Sequence, residues 1–316
     1  GVPTLVTTLA GGIPERLAFS NGTLVYGAGQ GDSDLWQVSL RPDGSASDPT
    51  PLTQGLARST MPSFSSDGRQ LAFQESGVGL DSSVWIMDLD SRKRDRLVSE
   101  GTSGGPSWGP GASVLTSRRL PPAPSALWLI DTRTHAGSQV RGLDPVTDRN
   151  PRLSPDGQSI AFWRVDEDGT LNTYTQRIDG SPARRLTSAA EAINYPAWSP
   201  DGRWLAVEIK KGASTHVGVM PSDGGQVEQL TEESGQSYPH SWSPDGEWIA
   251  FAGERRGVWN IYAVSRRTRQ IRALTHFSAA NGYVRYPAWS PRGDLIVFER
   301  QTGESSVWSL RLPARP

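Results

Sequence analysis

The sequence predicts an all-β fold, a seven-bladed β-propeller of four-stranded antiparallel blades. Three observations predict it. The phrase Pro196-Ala197-Trp198-Ser199-Pro200-Asp201-Gly202-Arg203-Trp204-Leu205-Ala206-Val207 reads as strand, tight turn, strand, and it recurs along the chain. Its copies start about 45 residues apart, within the range of propeller blades. No stretch of useful length carries helical periodicity.

Clear copies are Pro62-Ser63-Phe64-Ser65-Ser66-Asp67-Gly68, Pro151-Arg152-Leu153-Ser154-Pro155-Asp156-Gly157, Ser241-Trp242-Ser243-Pro244-Asp245-Gly246 and Pro287-Ala288-Trp289-Ser290-Pro291-Arg292-Gly293. Degenerate copies are Pro106-Ser107-Trp108-Gly109-Pro110-Gly111 and Arg16-Leu17-Ala18-Phe19-Ser20-Asn21-Gly22. Proline presets φ for the turn, Asp accepts backbone N–H bonds and Gly takes the positive φ, so these Asp residues are turn hardware and not a catalytic series.

After each turn comes an apolar strand such as Leu71-Ala72-Phe73 or Ile249-Ala250-Phe251. An alternating strand follows, as in Ser83-Val84-Trp85-Ile86-Met87-Asp88 or Asn260-Ile261-Tyr262-Ala263-Val264. A short strand ending in Leu-Thr closes the unit: Pro51-Leu52-Thr53, Arg185-Leu186-Thr187, Gln229-Leu230-Thr231, Ala273-Leu274-Thr275. Period-2 alternation between turn residues marks all of these as strands.

Such a unit cannot bury both faces alone, and closing a stack into a ring leaves only short, protected edges. The chain therefore reads as one propeller domain over 1–316. Its blades lie near 15–55, 60–99, 104–143, 149–188, 194–231, 238–275 and 285–312. The last unit lacks a Leu-Thr strand after Ser306-Val307-Trp308-Ser309-Leu310, and the N-terminal strand 3–9 is expected to complete it. Six blades is the alternative, if the unit near Arg16 is not a true blade. Nine of the 12 tryptophans are expected in the core between blades, Trp108, Trp198, Trp242 and Trp289 on first strands, Trp36, Trp85, Trp128, Trp259 and Trp308 on third strands.

The net charge is −1, so no global field draws nucleic acid or membrane. There is no cysteine, which excludes disulfides, thiol chemistry and cysteine-bound metals. No segment has the length of a transmembrane helix. The chain opens on the expected clasp strand, not on a leader, so a signal peptide or fused domain is expected to lie outside it.

The motif Pro-x-Trp-Ser-Pro-Asp-Gly-x-x-[Leu/Ile]-Ala-[Phe/Val], followed by Ile-Tyr or Val-Trp and then Arg-Leu-Thr, resembles the WD40-like repeat of the TolB-like β-propellers. That resemblance implies a propeller fold and several possible settings: a periplasmic scaffold of envelope complexes, a sensor domain of bacterial regulators and kinases, a gating propeller of serine peptidases, or a polysaccharide lyase. The small α/β domain of the periplasmic scaffold is missing. So is the Gly-x-Ser-x-Gly elbow of an α/β-hydrolase.

Propeller sites usually sit on loops at one face of the ring. Tyrosine precedes proline in three units, at Tyr195, Tyr238 and Tyr286, with Asn150 in the same place one unit earlier. Arg149, Asn194 and Arg285 stand beside them, and His240 lies just inside. Together these eight form the expected ligand-binding arc at the channel mouth, suited to a protein or peptide segment or a carbohydrate. The alternative is that each tyrosine packs under the neighbouring blade.

Basic doublets Arg118-Arg119, Lys210-Lys211 and Arg255-Arg256 read as solvated charge. Asp166-Glu167-Asp168-Gly169 reads as a hairpin turn lacking the rest of a calcium loop. The four histidines, His135, His216, His240 and His276, have no ligand spacing. No catalytic residue, metal site or cofactor is therefore expected. The sequence favours a non-catalytic binding propeller, a scaffold or sensor in the periplasm or outside the cell, with no direct nucleic-acid contact and no membrane insertion. The rival expectation is a lyase or glycoside hydrolase acting on acidic sugars.

Overall fold

The computed structural model is built entirely of strands among the described residues, which are 14–20, 23–29, 32–54, 57–77, 82–98, 100–123, 126–142, 148–187, 193–278, 282–302 and 305–311. Six four-stranded antiparallel sheets form the ring, so the expectation of seven blades is corrected to six.

In chain order, blade 1 holds Arg58–Phe64, Gln70–Ser76, Ser82–Asp88 and Arg94–Arg96. Blade 2 holds Thr102–Trp108, Ser113–Arg119, Ala126–Asp131 and Gly137–Gln139, and blade 3 holds Asp148–Leu153, Ser159–Val165, Leu171–Arg177 and Arg184–Arg185. Blade 4 holds Ile193–Trp198, Trp204–Lys211, Ser214–Pro221 and Glu228–Gln229, and blade 5 holds Gln236–Trp242, Trp248–Arg255, Val258–Ser265 and Ile271–Ala273.

Blade 6 closes the ring by pairing strands from the early and the late parts of the chain. Its first two strands are Gly282–Trp289 and Leu295–Thr302, and its last two are Asp32–Ser39 and Thr50–Pro51. The seam is zipped from Leu295 opposite Ser39 to Thr302 opposite Asp32. The Leu-Thr strand sought for the last blade is thus Pro51-Leu52-Thr53, with the Thr53 hydroxyl accepting from Leu35 N–H at 2.9 Å. Thr187, Thr231 and Thr275 do the same for Thr173, Val217 and Ile261.

The unit expected near 15–55 is therefore split. Its first two strands, Pro14–Ser20 and Thr23–Gly29, form a separate three-stranded sheet with Ser305–Arg311, which carries Trp308. The expected clasp at 3–9 lies outside the described residues.

Six buried apolar clusters fill the six seams. Leu35, Phe73, Met87 and Val297 pack blade 6 on blade 1, and Val38, Ile261, Val284 and Phe298 pack blade 5 on blade 6. Trp108, Trp242 and Trp289 are buried as expected, while Trp36, Trp85, Trp128, Trp198 and Trp259 are only partly buried against the clusters.

The turns work as the sequence predicts. The Ser199 hydroxyl donates to Asp201 Oδ1 at 2.6 Å and accepts from Trp204 N–H, and Gly202 sits at φ 70°. The Ser199 hydroxyl and the Arg203 N–H hold the Asp201 carboxyl below its ordinary pKa. The Asp166–Gly169 stretch is likewise a turn, with Gly169 at φ 79° donating to Asp166 C=O.

Candidate functional site

The inner strand of each blade carries a bulge at the channel, where two residues face one. It falls between Thr60 and Ser63, Gly104 and Ser107, Arg149 and Arg152, Asn194 and Ala197, Pro239 and Ser241, and Arg285 and Ala288. The first bulged residue takes positive φ in five of these, at Met61, Gly105, Asn150, Tyr195 and Tyr286. A bulge bends the strand and re-aims side chains. Here it turns the residue before proline onto the channel wall.

One register correction follows. Tyr238 was expected to match Tyr195 and Tyr286. An extra residue between Pro239 and Trp242 moves it back: Tyr238 faces Ala252, as Asn194 faces Glu208. His240 is the residue bulged in its place. The arc survives this shift. The Tyr195 ring lies 6.4 Å from Tyr238 and 6.2 Å from His240, and His240 meets Tyr286 edge-on at 4.9 Å.

Three aromatics that the sequence reading missed extend the arc: Trp163 at 6.0 Å from Tyr195, Trp259 stacked on Tyr238 at 5.7 Å, and Tyr283 at 4.4 Å from Trp259. Asn194, Tyr195, Tyr238, His240, Arg285 and Tyr286 all line one cavity of about 550 Å³. Asn150 lines a neighbouring cavity of about 470 Å³, which shares Tyr195 and Tyr286. Arg149 stands on the inner strand of blade 3 opposite Trp163.

The larger cavity also contains Glu208, Tyr283 and Lys210. Glu208 is 4% exposed, Asn194 6%. They are register partners on adjacent strands, and directly opposed residues bring their side chains together on one face. Glu208 Oε2 and Asn194 Oδ1 are buried acceptors with no protein partner. Burial pushes the Glu208 carboxyl up to about 7, against a smaller opposing pull from Lys210. A carboxylate inside the run Leu205-Ala206-Val207-Glu208-Ile209 is the signal that could have found it, because an unpaired buried charge is costly.

Glu299 holds the equivalent place in blade 6, opposite Arg285. It accepts from the Ser33 hydroxyl at 2.6 Å, and burial raises its pKa. Arg285 lays its guanidinium 4.0 Å from the Tyr283 ring centre, and its Nε is a buried donor with no protein partner. Burial raises the phenol of Tyr283 to about 12 and moves those of Tyr195 and Tyr238 in the same direction, so all three stay neutral. Burial drives His240 well below its ordinary pKa, reinforced by Arg152 and Arg285, so its imidazole stays neutral.

The other candidates do not converge here. Arg255 is fastened to Gln236 C=O, Ser237 Oγ and Glu254 C=O, and Arg118 lies over Trp128. His135 pairs with Asp95 at 3.1 Å, in a turn. Among the described residues no group of three His, Cys, Asp or Glu side chains could hold a metal ion, and no helix is long and apolar enough to cross a membrane.

Blade architecture and a rim-lined channel define the class: this is a six-bladed β-propeller. The family model described as the TolB beta propeller domain matches residues 188–313, and over those residues the chain is similar to that domain. A putative TolB from Agrobacterium tumefaciens superposes with TM-score 0.69 at 20% identity, over 86% of this chain and 99% of that one. An oligogalacturonate lyase from Vibrio parahaemolyticus superposes with TM-score 0.56 at 15% identity, over 83% and 82%. An uncharacterized peptidase of Bacillus subtilis, YuxL, is 29% identical over 57% of this chain. The chain spans 26% of that peptidase's length.

Proposed function

We propose that this propeller is a non-catalytic binding module that seats a peptide or protein segment in the aromatic and polar arc at its channel mouth. The observation that carries the reading is the convergence of Tyr195, Tyr238, His240 and Tyr286, drawn from three blades, around one cavity with Asn194 and Arg285. Tyrosines offer large, rigid contact area with a polar tip, and a rigid ring orders them in advance. A place in the bacterial envelope, as scaffold or sensor, accords with the TolB-like repeat.

The test is to select peptides from a random display library on the wild-type propeller and to measure their affinity after joint substitution of Tyr195, Tyr238 and Arg285. Loss of binding supports the reading, and unchanged affinity removes this face from consideration.

A second reading, a lyase or glycoside hydrolase acting on acidic sugars, is favoured by one observation. His240 is a neutral base flanked by Arg152 and Arg285, and arginine pairs bidentately with carboxylates. A panel of uronate oligosaccharides, with and without chelator, tests it by the appearance of unsaturated product. No turnover removes it.

A further inference from the structure

We propose that the cavity lined by the buried Glu208 and Asn194 is a site for an ammonium group, either the α-amine of a peptide or a lysine side chain. The proposal rests on the peptide-binding reading and names the chemistry of that buried wall.

Buried polar atoms are rarely left without partners. Here two belong to opposed residues: Asn194 Oδ1, an acceptor, and Glu208 Oε2, an acceptor in the ionised carboxylate. The two residues stand on neighbouring strands, and both line the cavity. A ligand that satisfies them must bring N–H or O–H donors. An ammonium brings three and a charge that complements the carboxylate. The walls suit a cation as well: Tyr195, Tyr238 and Tyr283 line the same space, and aromatic faces attract cations. Arg285 Nε, an unpartnered donor on the same cavity, is placed for a carbonyl oxygen of the same ligand.

The charged and titratable side chains that line the cavity with Glu208 are Lys210 on its own strand, Tyr195 on the next, Tyr238 and His240 on blade 5, and Tyr283, Arg285 and Tyr286 on blade 6. Tyr195, Tyr238, Tyr283 and His240 stay neutral, as above. Arg285 stands opposite Glu299, which offsets its charge. Lys210 is exposed, two residues from Glu208 and on the same face of the strand, and its charge pulls on the Glu208 carboxylate, so it competes with an incoming ammonium. An incoming ammonium favours the ionised carboxylate. Binding near neutral pH therefore expels a proton.

Calorimetry on the whole chain at about pH 7.5, where a peptide α-amine is still mostly protonated, tests this with three probes: triglycine amide, with a free α-ammonium; acetyl-glycyl-lysyl-glycine amide, with only a side-chain ammonium; and acetyl-triglycine amide, which has neither. One or both charged peptides should bind, and the contrast between them identifies the source. The neutral peptide should bind about tenfold or more weakly, as should the charged ones to Glu208→Gln, the range for losing a charged hydrogen bond. Lys210→Met should tighten binding. Affinity should fall below pH 7, by about tenfold per unit at the limit. Heats at pH 7 should differ between phosphate and Tris in proportion to the released proton, a readout of the wild-type chain that holds even if a variant fails to fold.

Equal binding of the neutral peptide, or an unaffected Glu208→Gln variant, overturns the ammonium assignment. If that binding still depends on Tyr195, the peptide-binding reading survives. Weakening by Lys210→Met overturns it in favour of an anion, and absence of binding by both charged peptides overturns it outright.

Discussion

Blades 1 and 2 and blades 4 and 6 solve the same backbone problem with different side chains. Each inner strand reaches the channel through a bulge whose first residue has positive φ: 54° at Met61, 62° at Gly105, 52° at Tyr195 and 51° at Tyr286. A proline follows in every case. At the rim of blades 1 and 2 stand Thr60, Met61, Gly104 and Gly105, backed by Gln74 and Ser117 on the second strands. At the rim of blades 4 and 6 stand Asn194, Tyr195, Arg285 and Tyr286, backed by the buried acids Glu208 and Glu299. Glycine and methionine serve the bulge well enough to build two blades. Met61 bears the same backbone strain as Tyr195 and Tyr286, so the halves differ in side chains and not in backbone. A buried carboxylate is costly, and the ring folds in blade 1 with Gln74 in its place, so the acids and aromatics gathered on one side are what the proposed site rests on.

The largest expected effect breaks the comparison along that line. Joint replacement of Tyr195, Tyr238 and Arg285 by Ala should weaken peptides selected on the wild type by roughly 2 kcal/mol or more, the scale of an interface hot spot. Joint replacement of Met61 and Gln74 should move the same affinities by less than about 0.5 kcal/mol. Isothermal titration of both variants checks this. Comparable losses would mean that the whole rim binds and that the two halves do not differ in purpose.

The next effect concerns stability and pH. Glu208 has a folded pKa of about 7, above its ordinary 4.5. Its contribution is fully present below pH 4.5 and is lost as pH rises through about 7. The rise from 4.5 to about 7 corresponds to up to roughly 3 kcal/mol. Glu208→Gln should therefore be more stable than wild type at pH 8, by up to that amount, and the gain should shrink toward pH 5. Gln74 holds the matching place in blade 1, so Gln74→Glu should show the reverse trend. Urea titrations at pH 5 and pH 8 measure both. A Glu208→Gln gain that does not vary with pH would assign the effect to packing instead of charge.

The same contrast between local and distant causes explains what was legible in the sequence. The turns were legible because all their parts lie within a few residues, as in Ser199, Asp201 and Gly202. The strands were legible by alternation. The blade count was not. Leu35-Trp36-Gln37-Val38 and Val307-Trp308-Ser309-Leu310 carry the same third-strand pattern, and either could follow Phe298 in the last blade. The ring takes Trp36, which stands opposite Phe298. That choice is made by contacts such as Ser33 to Glu299, 266 positions apart, which no local pattern records. The tyrosines of the rim were legible from their place before proline. Tyr238 was misaligned because one inserted residue, His240, shifts register without altering the motif. Glu208 went unnoticed because its meaning depends on Asn194 across the strand pair and on the depth of the cavity.

The smallest expected effect is the sharpest test of whether the bulge tolerates an aromatic for its own sake. At Gly105 an added Cβ would meet nothing nearer than Met61 Sδ at 3.9 Å, so only the backbone at φ 62° resists a side chain. Gly105→Tyr should cost about 1 kcal/mol, the lower range for a non-glycine residue in that region. Gly104 is the control: its Cβ would push aside the Gln74 amide, whose oxygen accepts from Gly105 N–H at 3.0 Å, and a part-buried donor left without its partner costs about 1–3 kcal/mol, so Gly104→Ala should cost more than Gly105→Tyr despite the smaller side chain. Thermal melts of the two variants decide the order. The expected order would show that blade 2 accepts a tyrosine at the place where blades 4 and 6 already carry one, and that its glycine there is not a requirement of the fold. The reverse order, with Gly105→Tyr the more damaging, would mean that each bulge is fitted to its own residue. Tyr195 and Tyr286 would then be structural parts of their blades, and the asymmetry of the rim would no longer argue for a ligand.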